Sequence, residues 1–105
     1  MARMVVIYKT PKDVAAFTRH YFETHIPLAK KLPGLRKYEV SEGPILTPHG
    51  ASEYHFVATL HFDDLAAIKH AFATPEGQLC AADRQNLAPD AADFLMLLFD
   101  DREIT

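Results

Sequence analysis

The stretch Glu53-Tyr54-His55-Phe56-Val57-Ala58-Thr59-Leu60-His61-Phe62 has the two-residue period of a pleated strand. Tyr54, Phe56, Ala58, Leu60 and Phe62 fall on one face, and Glu53, His55, Val57, Thr59 and His61 on the other. The first face suits a covering layer of helices. The second is too mixed for a dry core and too apolar for a wet surface.

Working outward from this strand, Asp63-Asp64 opens a helix with Leu65, Ile68 and Phe72 inward. Thr74-Pro75-Glu76 reads as a cap and a fresh start, so Pro75 divides this region into two helical pieces. Leu79, Ala82 and Leu87 mark the inward face of the second piece, and Pro89 ends it. A last strand spans Ala92 to Phe99. On the N-terminal side, Gly43 to Ser52 is a turn-rich connection, and Leu35 to Gly43 is a strand with Arg36, Tyr38 and Val40 on one face. Before it, Val14, Phe17, Tyr21, His25, Leu28 and Leu32 form a helical stripe, with Thr10 as expected cap and Pro11 at the first helical position. Pro27 has no amide proton to give the carbonyl of Glu23, so a break or kink is expected beside His25. Met4 to Lys9 is the first strand. The order is βαββαβ, an α+β ferredoxin-like fold with a four-stranded antiparallel sheet, expected as one domain over residues 1–105.

The run Phe94-Leu95-Met96-Leu97-Leu98-Phe99 does not alternate, and a strand apolar on both sides needs cover on both sides. Two helices can cover one face of such a sheet. A second subunit on the other face predicts a homodimer; the plainer alternative is a monomer with an apolar edge strand.

The totals narrow the function classes. A net charge of -3 without a basic stripe gives no support for nucleic-acid binding. No apolar run approaches a membrane span, and the run Met4 to Tyr8 is too short for a signal peptide. The lone Cys80 excludes an internal disulfide, and a cytoplasmic location is expected. No Gly-x-Gly occurs, so nucleotide cofactors lack their usual fingerprint, and no Gly-x-Ser-x-Gly elbow is present. His20 and His25 are five apart, not the four that sets two metal ligands on one helical turn, so no metal is expected. Haem has no distinguishable axial ligand. His55 and His61 lie about 20 Å apart along their strand, too far to share one metal.

The residues Phe17-x-x-x-Tyr21-x-x-x-His25-x-Pro27-Leu28-Ala29 and Leu32-Pro33-Gly34-Leu35-x-x-Tyr38, with Phe72-x-x-Pro75-Glu76-Gly77 and Ala82-Asp83, resemble the EthD family of dimeric α/β-barrel proteins. The resemblance covers almost the whole chain. It implies a homodimer whose two sheets form a barrel, with a pocket between each sheet and its helices. It also implies bacterial catabolism of ethers and other organic compounds, among relatives that include cofactor-independent monooxygenases, cyclases and lactone isomerases.

His25 is the first chemical candidate, because an imidazole titrates near neutral pH and burial favours its neutral base form. Tyr38 is expected to share its pocket and to polarise a substrate oxygen. The plainer reading of His25 is a structural histidine bonded to a backbone carbonyl. Phe17, Tyr21, Tyr54, Phe56 and Phe72 are expected to wall a site for a small apolar or aromatic compound. Most carboxylates read as solvated charge; Asp83 stands apart because it falls in the second family-like segment. The function expected is a cofactor-independent enzyme using His25 and Tyr38 in proton transfer on a carbonyl, phenol or lactone. The alternative is a non-catalytic binding or accessory protein beside a separate oxygenase system.

Overall fold

A computed structural model describes residues 1–105. The chain runs through β1 (Ala2–Lys9), α1 (Val14–His20), a π-helical turn (Tyr21–His25), α2 (Ile26–Ala29), β2 (Lys37–Val40), β3 (Leu46–Thr47), β4 (Gly50–Ala51), β5 (Tyr54–Phe62), α3 (Leu65–Ala73), α4 (Pro75–Leu87), a short 3-10 turn (Ala91–Asp93) and β6 (Phe94–Asp100). The main sheet has the order β2-β5-β1-β6 with every pair antiparallel, which is the ferredoxin-like arrangement. Strands β3 and β4 form a small separate hairpin inside the turn-rich connection.

Register explains the core. Ala2, Met4, Val6 and Tyr8 stand opposite Phe62, Leu60, Ala58 and Phe56. All eight are buried beneath the helices, each large side chain contributing about 1.5–3 kcal/mol through its removal from water. Tyr38 and Val40 pair with Leu60 and Ala58, so they share this face as their alternation predicts. The alternation of β5 fails at its start. A bulge between Tyr8 and Lys9 sets Tyr54 opposite Lys9, and the freed His55 ring stands edge-on to Phe17 with centroids 5.7 Å apart. One extra residue reverses the facing of what precedes it, so His55 leaves the face it was expected to share with His61.

The first helix starts later than Thr10 and Pro11 suggest. Asp13 is the N-cap, its carboxylate accepting from the Ala16 amide at 3.0 Å, while the Thr10 amide bonds to the Glu53 carbonyl. Val14 consequently lies in the exposed first turn and not on the buried stripe. The break expected at Pro27 takes the form of a π turn: the Ile26 amide reaches back five residues to the Tyr21 carbonyl, and Pro27 enters the next short helix where no amide is needed.

The phase of α4 differs from the expected one. Leu79 is 62% exposed and Ala82 is also outside; Gly77, Cys80, Asp83 and Leu87 face in. The cause is backbone contact at the α3–α4 corner. A Cβ on Gly77 would come within 2.1 Å of the Ala71 carbonyl oxygen, so glycine lets α4 cross there, and the positions three, six and ten residues on follow it inward. Thr74 caps this helix, accepting from the Gly77 amide at 3.1 Å.

Strand β6 remains open on both sides within the chain. Leu95, Leu97 and Phe99 stand beside Ile7, Val5 and Arg3 on the face away from the helices, 45%, 44% and 40% exposed. Met96 and Leu98 share the helix-side face and are 41% and 49% exposed. No helix is long and apolar enough to cross a membrane.

Candidate active site

The π turn delivers His25 to the interior, where its Nδ1 donates to Asp83 Oδ2 at 2.9 Å. Asp83 comes from the inward stripe of α4. Its carboxylate also accepts from His20 Nε2 at 2.9 and 3.0 Å and from Asn86 Nδ2 at 3.0 Å. Burial pushes the Asp83 carboxyl up, but the hydrogen bonds from Asn86, His25 and His20 outweigh it and hold the group below the usual carboxylate range. An ionised carboxylate only accepts, so His25 presents Nδ1–H to it and keeps the lone pair on Nε2. Burial lowers the His25 pKa; Asp83 opposes that shift without reversing it, and His20 adds to it. His25 is 8% exposed and is neutral at neutral pH.

His25 lines a cavity of about 310 Å³ between sheet and helices. The sheet contributes Met4, Val6, Tyr8, Met96 and Leu98; α3 and α4 contribute Ile68, Phe72, Cys80, Ala81 and the cations Lys69 and Arg84. Nine of the twelve lining residues are hydrophobic, the usual make-up of a site that holds an apolar ligand by a few polar groups. The exposure of Met96 and Leu98 sets its mouth along β6. Among the uncharged lining residues, His25 Nε2 and the Tyr8 hydroxyl make no hydrogen bond within the protein. No fully enclosed side-chain polar atom is left unpaired, so both reach open space. Burial raises the Tyr8 phenol far above its ordinary value, as does the neighbouring Tyr38, so it stays a donor. Burial likewise pushes the Cys80 thiol up to about 11, which leaves it a poor nucleophile at neutral pH.

The residues named from the sequence divide between this cavity and the packed region beside it. His25 and Phe72 line the cavity. Tyr38 does not share it: its hydroxyl is 2.5 Å from that of Tyr21, and burial pushes its pKa up to about 12. Tyr21 is packed against Phe56 (4.5 Å between ring centroids), Phe17 (5.9 Å) and His25 (5.1 Å). Phe17, Tyr21 and Phe56 therefore pack against one another and do not line the His25 cavity. Tyr54 and Phe56 border a separate groove with Phe22. Tyr8 and Arg84 are not among the site residues expected from the sequence, and Asp83 has no role in that expectation. Their signals were a tyrosine on the buried parity of β1 and a carboxylate spaced three, three and four with Gly77, Cys80 and Leu87. A carboxylate on an inward stripe requires a buried partner. No group of three His, Cys, Asp or Glu is arranged to hold a metal ion.

Fold and site define a ferredoxin-like α+β protein with an acid–imidazole pair at an apolar cavity. Residues 9–91 match the EthD domain, and the chain belongs to the EthD family. It is 36% identical over 103 residues to an uncharacterized 11.0 kDa protein of the thcB-thcC intergenic region of Rhodococcus erythropolis, covering 98% of this chain and 96% of that one. An ethyl tert-butyl ether D (EthD) family protein from Bacillus halodurans superposes with a TM-score of 0.87 at 29% identity, over 97% of this chain and 99% of the other. At the level of the fold alone, the chain is similar to SnoaB, a cofactor-independent oxygenase from Streptomyces nogalater, with a TM-score of 0.68 at 18% identity, over 98% and 94% of the two chains. Dimeric ferredoxin-like proteins of unknown function are also among its structural neighbours.

Proposed function

We propose that the chain is a homodimeric, cofactor-independent enzyme that moves a proton on a small apolar compound bearing a carbonyl, phenol or lactone. The observation that carries this is His25: a buried neutral imidazole on the lining of an apolar cavity, anchored through Nδ1 by Asp83, with Nε2 making no hydrogen bond within the protein. In this reading Nε2 takes a C–H or O–H proton from the ligand. Asp83 then stabilises the imidazolium and holds its ring in place. The Tyr8 hydroxyl donates to the oxygen on which negative charge develops. Tyr38 acts at one remove, fixing Tyr21, whose ring packs on His25. SnoaB, a cofactor-independent oxygenase of the same fold, supports the view that such a fold can host chemistry without a cofactor. Pairing follows from the apolar Leu95, Leu97 and Phe99 on the uncovered face, where a second sheet would complete a barrel.

The test is proton exchange. In deuterated buffer, the protein is expected to speed loss of the acidic C–H signal of 2-tetralone or α-angelica lactone in NMR spectra. His25→Gln, with the dimer intact by sedimentation, is expected to lower that rate by about 10²–10⁴-fold. An unchanged rate removes the catalytic assignment. Binding of both compounds without any exchange by the unsubstituted protein supports the accessory-protein alternative.

A further inference from the structure

We infer that the cavity takes its ligand as a carboxylate anion, with Arg84 as the built-in counter-charge and Lys69 at the rim. This names the substrate class for the proton-transfer site and rests on that reading for the use of the cavity. The first observation is charge. Lys69 and Arg84 are the formally charged groups on the lining besides the neutral His25, and no aspartate or glutamate is among the twelve residues. The chain carries 14 acidic residues and a net charge of -3, yet it places none of them on this wall. Neither cation forms an ion pair; the chain's salt bridges involve other basic groups.

The second observation is preorganisation. Arg84 Nη1 donates to the Ala88 carbonyl at 2.7 Å, and the guanidinium carbon sits 4.1 Å from the centroid of the Phe94 ring. Those contacts fix the plane of the guanidinium and use one of its five N–H donors. The others are left to a planar acceptor, and carboxylate matches that fork in shape and charge. Arg84 is half-buried and lines the apolar hollow, so its charge loses solvation that a ligand anion can replace. The third observation is size. About 310 Å³ with mostly apolar walls suits a compact hydrocarbon skeleton with a single anionic group.

The experiment compares 3-phenylpropionate with its methyl ester, by calorimetry and by NMR line broadening, at low salt. The acid is expected to bind the unsubstituted protein about tenfold more tightly than the ester, and to weaken as salt is added. Arg84→Met is expected to erase the preference while leaving ester affinity within about twofold, and Lys69→Gln to reduce it by less. Because Arg84 also supports the C-terminus of α4, Arg84→Lys serves as the second variant; it keeps the charge and is expected to keep part of the preference. Equal affinity for acid and ester, no acid binding at millimolar concentration, or a preference that survives Arg84→Met in folded protein each overturns the inference. His25→Gln separates the two proposals. Acid preference intact with no His25-dependent exchange sinks the proton-transfer reading alone; exchange on neutral ketones without acid preference sinks this inference alone.

Discussion

The same sheet is covered by two helical layers that behave differently. Under α1 and the π turn, Phe17, Tyr21 and Phe56 meet Tyr8 ring to ring and leave no room. Under α3 and α4, Ile68, Phe72, Cys80 and Ala81 face Met4 and Val6 across a hollow. The contrast is one of side-chain size on equivalent scaffolding: a cluster of aromatic rings on one side, and on the other a single ring, Phe72, among smaller residues such as Cys80 and Ala81. His25 sits at the seam, packed against Tyr21 on one flank and lining the hollow on the other. In the proposed reaction, the filled half would hold His25 in place and the empty half would bring the ligand to it.

The largest effect on stability should come from opening the filled half. Phe56→Ala is expected to cost about 3–5 kcal/mol, because a tight aromatic cluster cannot collapse into the gap. Phe72→Ala, on the cavity wall and half-buried, is expected to cost about 1–2 kcal/mol, because part of the ring already faces empty space. Urea unfolding of the two variants measures the difference. Equal costs would mean that the hollow half is packed in solution.

Next in size is the corner that keeps the hollow open. Gly77→Ala sets a methyl 2.1 Å from the Ala71 carbonyl oxygen and 2.5 Å from the Phe72 Cα, both backbone atoms that yield only if α4 moves. A cost of about 1–3 kcal/mol is expected, together with weaker binding of 3-phenylpropionate, since Cys80, Asp83 and Arg84 ride on the same helix. Normal binding at reduced stability would separate the corner from the cavity.

This contrast also explains what the sequence could convey. Strand parity in β1 and β5 identifies the buried face, because period-two alternation needs no knowledge of the partner. Pro27 marks the disturbance beside His25 for an equally local reason: it lacks an amide. The bulge that turns His55 toward Phe17 arises between two strands far apart in sequence, and nothing local announces it. The phase of α4 has the same character. Leu79 is its most apolar-looking position and lies outside, because the close approach of Gly77 to Ala71 overrides hydrophobic preference. With that phase set by hydrophobicity alone, Asp83 has no inward position, and its bond to His25 is not legible in the sequence. Tyr38 stands on the helix-covered face that its strand parity indicates, but parity does not show that its hydroxyl is committed to Tyr21.

The smallest effect, on pH, tests whether the seam is dry. Burial lowers the His25 pKa in the folded chain, whereas the unfolded chain titrates near the ordinary histidine value of about 6.5. Between the two values the unfolded chain binds more protons. The contribution of His25 to stability is therefore fully present above about pH 6.5 and declines as the pH falls toward the lowered folded value. His25→Gln should remove that part of the slope in urea midpoints between pH 7 and 5, and Phe56→Ala should leave it in place. The acid limb of the exchange profile should likewise lie below pH 6.5. Asp83→Asn should carry it lower still, because the carboxylate opposes the effect of burial and its loss leaves that effect unbalanced. A limb at or above pH 6.5 in the unsubstituted protein would mean that water reaches His25 freely, and the hollow would then be a solvated cleft instead of a site that keeps an imidazole neutral.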